Sequence, residues 1–401
     1  MPQPGALTIL CIATYEKGQT FLRECHRLGH TVLLLTVEKL RDANWPREAI
    51  AETFYIPRDI QRDELLKGVS HIARSRAVDR IVPLDDFDVE TAATLREHLR
   101  IPGMGETTAR YFRDKLAMRV KARNAGILVP EFVHVLNDQA IARFAATVAA
   151  PWVLKPRSSA AAIGISRIDR SGDLWPAIEA LGDRRSFFLL EQYVPGDVYH
   201  VDSIVWERDI VYRTAHRYGR PPMNIAHEGG VFTTRTLAAD AEEAHPLAAM
   251  NREVLGTFGL VRGVTHTEFI RAHHDGRWHF LETSARVGGA FIVDVIEAAS
   301  GLNLWKEWAR IEIAGEEFSY ALPPVTERYA GIVLTLAREP EPDMSAYTDP
   351  DIVTRIQKHH HAGLILVSDD STRLDDLITG YADRFHHDFM AWHPAPDSPS
   401  A

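Results

Sequence analysis

Residues 263–290, GVTHTEFIRAHHDGRWHFLETSARVGGA, decide how this chain is read. The stretch predicts two β-strands joined by a tight turn, with Asp275-Gly276 as the hairpin signal. A three-residue loop of His274, Asp275 and a left-handed Gly276 would put Glu268 directly opposite Glu282. Strand side chains alternate with period two, so Ser284 and Arg286 follow on the glutamate face. Ile270 and Phe280 would share that face, while Phe269 and Leu281 take the other. Carboxylates paired across strands repel each other, and a cation between them relieves the repulsion. Oxygen donors so placed suit Mg²⁺, which takes one or two carboxylates plus substrate phosphates. Spacing alone equally allows two solvated glutamates on a sheet surface. A face that is wet at Glu268 and apolar two residues later looks like the wall of a cleft.

Around this hairpin lie 401 residues, 45% hydrophobic and 25% charged, an ordinary globular composition. The length suggests roughly two to four domains. A net charge of -10 argues against nucleic acid or an anionic membrane as the main partner. No apolar run approaches the ~20 residues of a membrane helix. The run at 7–13 has no basic region before it and no small-residue cleavage site, so it reads as a buried strand rather than a signal. Cys11 and Cys25 fall on a predicted strand and the next helix. Two thiols in a chain this long point to a reducing compartment, and a cytoplasmic protein is expected. The tail 393–401, HPAPDSPSA, has a disordered composition.

The first ~110 residues alternate strand and helix, the pattern of a parallel sheet. Strands are predicted over 7–13, 31–36 and 80–84, and helices over 20–28, 62–74 and 89–99. The run 31–36, TVLLLT, is apolar throughout and therefore central. Asp85-Asp86-Phe87-Asp88 follows the 80–84 strand at the carboxyl edge of the sheet, where open α/β sheets bind ligands. The same aspartates would also serve as N-caps for the next helix. The turn at 13–18 has no G-x-G-x-x-G, so no NAD site is read there. Residues 114–126, DKLAMRVKARNAG, predict a helix with an N-terminal aspartate and a glycine stop. A strand at 152–156, WVLKP, ends in a lysine and leads into a small-residue loop, 158–164. A strand at 187–194, FFLLEQYV, closes on Pro195-Gly196. A hairpin is predicted over 199–206 and 210–214, a helix over 292–299, and a last unit over 328–390 with a closing helix at 374–385.

In chain order, the residues that carry charge into this framework are Lys115, Lys155, Glu191, Glu268, Glu282 and Arg286. Asp114-Lys115, WVLKP, EQYVPG at 191–196, THTEF at 265–269 and LETSARVGG at 281–289 together resemble the ATP-grasp superfamily. Five motifs in this order cover most of the chain. The resemblance implies an α/β and α+β fold. A parallel Rossmann-like domain would span 1–112 and the N-terminal grasp subdomain 113–190. A C-terminal grasp subdomain with antiparallel sheets would span 191–325. A small α/β subdomain follows over 326–393, and a tail over 394–401.

It also implies ATP and Mg²⁺, with Mn²⁺ as an alternative. Lys115 and Lys155 would hold phosphates as point charges. The loop with Ser159 and Gly164 would cover them with backbone N–H groups. Glu191, Gln192, Tyr193 and Val194 would form the adenine hinge, Glu191 accepting from the exocyclic amine. Glu268 and Glu282 would hold Mg²⁺ against the phosphates, and Arg286 would stabilise an oxyanion. Three positions depart from the family pattern. Ser284 stands where a third metal ligand is usually asparagine. The loop SSAAAIG has one glycine. Val198 stands where an acid often binds the ribose, with Asp197 one place earlier as substitute and Asp202 further on.

The implied activity is that of an ATP-dependent carboxylate–amine ligase, joining small-molecule substrates such as amino acids through an acyl phosphate. Such chemistry needs no nucleophilic side chain, and the chain has no Ser-His-Asp or reactive-cysteine motif. A biotin-carboxylase-like enzyme acting through carboxyphosphate is the alternative among enzymes, although no biotin-carrier segment is present. A non-catalytic ATP-binding protein is the alternative outside them, kept open by Ser284. Homodimers are common in the family. Residues 217–220 and 227–230 would either contact substrate or form an exposed loop. His266, on the Glu268 face, reads as a neighbour of the metal site, a base or a packed strand residue. The consecutive histidines 359–361 point in alternating directions if extended, which disfavours one metal site.

Overall fold

A computed structural model describes residues 5–160, 163–315 and 318–392. The expected disordered tail lies outside these residues. The first unit is a four-stranded parallel sheet in the order Glu52–Ile56, Thr31–Val37, Thr8–Ala13, Arg80–Pro83. The apolar strand Thr31–Val37 is interior, as its composition predicts. Its outer neighbour, Glu52–Ile56, is absent from the sequence reading. It is only five residues long and half-buried throughout, so it lacks both the apolar run and the strict alternation that mark a strand.

A second sheet, antiparallel, contains Phe132–His134, Phe188–Gln192, Trp152–Pro156 and Ser166–Ile168 in that spatial order. The third has eight antiparallel strands. Trp278–Ser284 forms one edge, followed inward by Gly263–Ala272, Gly196–Trp206, Asp209–Tyr218 and Phe232–Thr236. The strands Tyr329–Leu336, His361–Ser368 and Ile352–Lys358 complete it. The strands of the C-terminal unit thus extend the large sheet, and the helix Ser371–Asp388 covers their far face. His359 and His360 form the turn between two of these strands, with His360 left-handed at φ 55°.

One apolar core joins the parallel sheet to the large sheet. Phe21 meets Trp308 edge-on at 5.5 Å, and Val264 and Val287 from the carboxylate hairpin region belong to the same cluster. Full burial of each such side chain is worth about 1.5–3 kcal/mol. This core fixes the carboxyl edge of the parallel sheet close to the hairpin of Glu268 and Glu282. Among the described residues, no helix is long and apolar enough to cross a membrane.

Candidate active site

A cleft of about 600 Å³ opens where the three sheets converge. Lys115, Lys155, Glu191, Gln192, Tyr193, Val194, Glu268, Glu282 and Arg286 all line it. Lys17, Asp85 and Asp86 reach it from the carboxyl edge of the parallel sheet.

Glu268 and Glu282 face each other as predicted, but by a different route. The loop holds four residues, since the Ala272 N–H donates to the Arg277 carbonyl and the Gly276 N–H to that of Ala272. Gly276 is left-handed at φ 69°. This turn pairs Phe269 with Phe280, and a bulge at Leu281 then restores Glu268 to Glu282. The extra residue re-aims its neighbours. Phe280 is fully buried behind the sheet with Phe258 and Phe269, and Leu281 stands in the cleft beside Ile270. The placement of Phe280 on the glutamate face and of Leu281 behind it is therefore reversed.

Glu268 is braced from within the sheet. The Tyr218 hydroxyl donates to its Oε1 at 2.9 Å, and His266 Nε2 lies 3.5 Å from the same oxygen. His266 Nδ1 meets Asp202 at 2.9 Å, and His200 Nδ1 meets the other Asp202 oxygen at 2.6 Å. Burial alone would lower the pKa of His266, but Asp202 and Glu268 outweigh it and push it up to about 10. His266 thus links Asp202 to Glu268 and also lines the cleft. Asp202, the more distant ribose candidate, is wholly buried in this network.

Lys155 and Glu191 are diagonal neighbours on paired strands, Glu191 lying opposite Val153 and Lys155 opposite Leu189; they form a buried ion pair, and Arg119 flanks the other Glu191 oxygen at 3.0 Å. Arg119 also donates to the Leu281 carbonyl. Burial, assisted by Arg119, lowers the Lys155 pKa to about 8, with Glu191 opposing the fall. Glu191 stays below its usual range despite burial, because two cations surround it. Its carboxylate is thereby committed to Lys155 and Arg119, a use different from the expected contact with an exocyclic amine. In the hinge, the Gln192 and Tyr193 N–H groups go to the carbonyls of Glu131 and Pro151. Val194, buried at the cleft wall, supplies the next N–H along.

Asp114 caps its helix by accepting from the Leu116 and Ala117 N–H groups, which places Lys115 at the first turn. Lys115 Nζ donates to the Ser159 carbonyl at 2.7 Å and lies 2.8 Å from Glu282 Oε2. Ser159 lines the cleft, as do Ile163 and Ile165. Gly164 is left-handed at φ 72° and would bring a Cβ within 2.9 Å of Pro156, so it shapes the loop rather than the cleft surface. Residues 161–162 of this loop lie outside the described residues.

Arg286 donates through Nε and Nη2 to Asp86 Oδ2 and through Nη1 to the Val287 carbonyl. Ser284 Oγ lies 3.3 Å from the same Asp86 oxygen. Ser284 is thus turned toward the parallel sheet and is not among the cleft-lining residues. Asp197 also lies off the cleft, pairing with Arg217 at 3.0 Å, while its neighbours Gly196 and Val198 line it. Strand alternation explains the placement. The cleft carboxylates among the described residues are Asp85, Asp86, Glu191, Glu268 and Glu282. Residues 217–230 divide between the two readings. Pro221 to Asn224 line the cleft at the start of the helix Pro222–Glu228, and Arg220 pairs with Glu228 at its solvent side.

Sequence reasoning missed Arg119, the bond from Tyr218 to Glu268 and the partnership of Asp86 with Arg286. Arg119 had a signal: it stands four residues after Lys115 on the same helix face.

The geometry can be set beside known proteins. Residues 22–103 match the ATP-grasp N-terminal domain family. The L-amino acid ligase from Bacillus licheniformis superposes with a TM-score of 0.76 at 17% identity, over 98% of this chain and 100% of that one. The chain has the ATP-grasp fold. Its ATP-grasp fold is shared by the N5-carboxyaminoimidazole synthetase of Staphylococcus aureus complexed with ADP, at a TM-score of 0.70 and 14% identity. That match covers 94% of this chain and 97% of the other. In sequence, the chain is 25% identical over 271 residues to the L-arginine-specific L-amino acid ligase of Bacillus subtilis. The match takes in 66% of this chain and 65% of that relative's length.

Proposed function

We propose that this protein is an ATP-dependent carboxylate–amine ligase. It would activate a small carboxylic acid, an amino acid in the simplest case, as an acyl phosphate. An amine then attacks, with ADP and phosphate released. The observation that carries this reading is the convergence of Glu268, Glu282, Lys115, Lys155 and Arg286 on one cleft. Two facing carboxylates with oxygen donors alone fit a hard divalent cation. Both Lys115 and Lys155 are buried and ion-paired in the cleft wall rather than free in solvent, which supports the reading. Glu268 and Glu282 would hold Mg²⁺, which supplies charge neutralisation at the phosphates. Lys115 and Lys155 would hold the phosphates, and the Val194 N–H and the apolar wall of Val153, Ile270 and Leu281 would take the adenine. Arg286 retains N–H donors beyond those it spends on Asp86 and Val287, and would meet the oxyanion of the tetrahedral step.

No cleft group needs to act as a nucleophile, since acyl transfer from phosphate has a good leaving group. The residues position the reactants and balance charge. ADP and phosphate release over a matrix of amino-acid pairs, with mass detection of dipeptides, tests the proposal. ADP release that requires two amino acids, with a matching condensation product, is expected. Nucleotide binding with no turnover across the matrix, or turnover that requires bicarbonate instead of an amine, would overturn it.

A further inference from the structure

We propose that Asp86 is the positioning residue for Arg286, and that Arg113 in turn positions Asp86 and ties it to the phosphate loop. The proposal rests on reading Arg286 as the residue that meets the oxyanion. Asp86 comes from the parallel sheet and Arg286 follows the carboxylate hairpin, 200 residues later. Asp86 is 3% exposed. Its Oδ2 accepts from Arg286 Nε at 2.8 Å, from Arg286 Nη2, and from Ser284 Oγ at 3.3 Å. Two N–H bonds to one carboxylate fix both the tilt and the reach of a guanidinium. The third contact, from Nη1 to the Val287 carbonyl at 2.7 Å, completes the clamp.

The other carboxylate oxygen is handled differently. Asp86 Oδ1 is buried and accepts no hydrogen bond among the described residues. Arg113 Nη1 lies 3.9 Å from it, and Arg113 Nε is likewise buried without a partner. Arg113 also donates from Nη2 to the Ser158 carbonyl at 3.3 Å and stacks its guanidinium 5.0 Å from the ring centre of Phe87. A buried acceptor and a buried donor, each unsatisfied and on neighbouring groups, cost far less together than apart, because opposite charges face each other. Arg286 and, beside it, Arg113 keep Asp86 ionised, and Arg113 aims that carboxylate at Arg286 while gripping the first residue of the phosphate loop. Two positions along, Lys115 grips the second residue of that loop and Glu282. The parallel sheet, the phosphate loop and the carboxylate hairpin are thus joined through one buried carboxylate.

A double-mutant cycle tests the relation. Removing a donor that acts on an oxyanion lowers kcat by about 10²–10³, so Arg286→Ala should fall in that range. Asp86→Asn should lower kcat about 100-fold, the effect of misplacing a reacting group by ~1 Å. Binding of a non-hydrolysable ATP analogue should stay within about twofold. In the Arg286→Ala background, Asp86→Asn should change kcat less than threefold, because the group it positions is already gone. A purely structural aspartate would lower activity equally in both backgrounds, and that result would overturn the proposal. Should Asp86→Asn fail to fold, Arg113→Met carries the same cycle, with a loss of about tenfold expected in wild type and none in Arg286→Ala. An equal loss in both backgrounds is again fatal. If Arg286→Ala alone leaves kcat intact, the oxyanion reading itself falls, and the two failures are told apart.

Discussion

Glu191→Gln removes one negative charge from between two buried cations while barely changing volume, and its cost can be worked from the structure. Arg119 is 0% exposed, Glu191 4% and Lys155 7%. Lys155 has an ordinary pKa of 10.5 and a value of about 8 in the fold, where burial lowers it and Glu191 holds it up. Keeping it charged at neutral pH therefore already costs about 3 kcal/mol, at 1.36 kcal/mol per unit. Without Glu191 the pKa falls further, and Lys155 escapes by shedding its proton. A neutral lysine at pH 7 costs at most about 5 kcal/mol against the unfolded chain, so the additional loss through Lys155 is capped at about 1–2 kcal/mol. Arg119 has no such escape, since guanidinium does not deprotonate. Losing its carboxylate costs roughly 2–3 kcal/mol more. The variant should be about 3–5 kcal/mol less stable at pH 7 by urea titration followed by circular dichroism.

The pH dependence has a definite sign. The folded pKa of Lys155 is below the unfolded one, so the unfolded chain binds more protons between pH 8 and 10.5, and wild-type stability rises there. In the variant that rise begins at lower pH. Its deficit should narrow by about 1 kcal/mol between pH 7 and 9. Binding of an ATP analogue at pH 7 should weaken at least tenfold, because Lys155 is neutral. A deficit below about 1 kcal/mol at pH 7, or one that widens toward pH 9, would refute the account.

Glu282→Gln should abolish ADP release, by about 10³-fold or more if the metal site fails, while the thermal melt stays within a few degrees of wild type. Full turnover would remove the metal site from the reading. Tyr218→Phe deletes the 2.9 Å bond to Glu268; one hydrogen bond to a charged group is worth about 1.5–3 kcal/mol, so the Mg²⁺ concentration for half-maximal rate should rise about tenfold or more, and an unchanged requirement counts against the bracing role. Asp88 is buried, and burial pushes its carboxyl up to about 7 against two bonds from Thr14. Its folded pKa is raised, so its contribution is present below the ordinary 3.8 and lost as pH climbs through about 7. Asp88→Asn should flatten the melting temperature between pH 5 and 8 and raise it above pH 7; a variant that melts lower at pH 8 would contradict this.

Elements with strong local signals were legible in the sequence. The apolar strand at 31–37, the Asp114 cap before Lys115 and the hairpin at Asp275-Gly276 all follow from short-range chemistry, and each appears where expected. The facing glutamates were legible too, but the turn used to place them was one residue short, and a bulge at Leu281 compensates. A bulge leaves no mark in a pattern of alternating residues, so Phe280 and Leu281 were assigned to each other's faces. Asp197 failed for a simpler reason. It sits one step out of phase on a strand whose even-numbered neighbours line the cleft, and a one-residue slip moves a side chain to the opposite face.

Charge type was legible where charge partners were not, and the difference has a physical origin. Lysines at a strand end or a helix start carry a local signature, whereas the carboxylates that meet them arrive from distant chain segments. Lys155 meets Glu191, Lys115 meets Glu282, Arg286 meets Asp86, and Lys17 meets Asp85. Each cation in the cleft thus already has a protein carboxylate, at sequence separations from 36 to 200. A phosphate that engages Lys115 competes with Glu282, and the half-buried carboxylate it displaces is left facing Glu268 and needs a cation in turn. Glu282 and Glu268 face each other, so one divalent ion can answer both. The internal ion pairs therefore favour a ligand that brings phosphates and metal together over one that brings either alone.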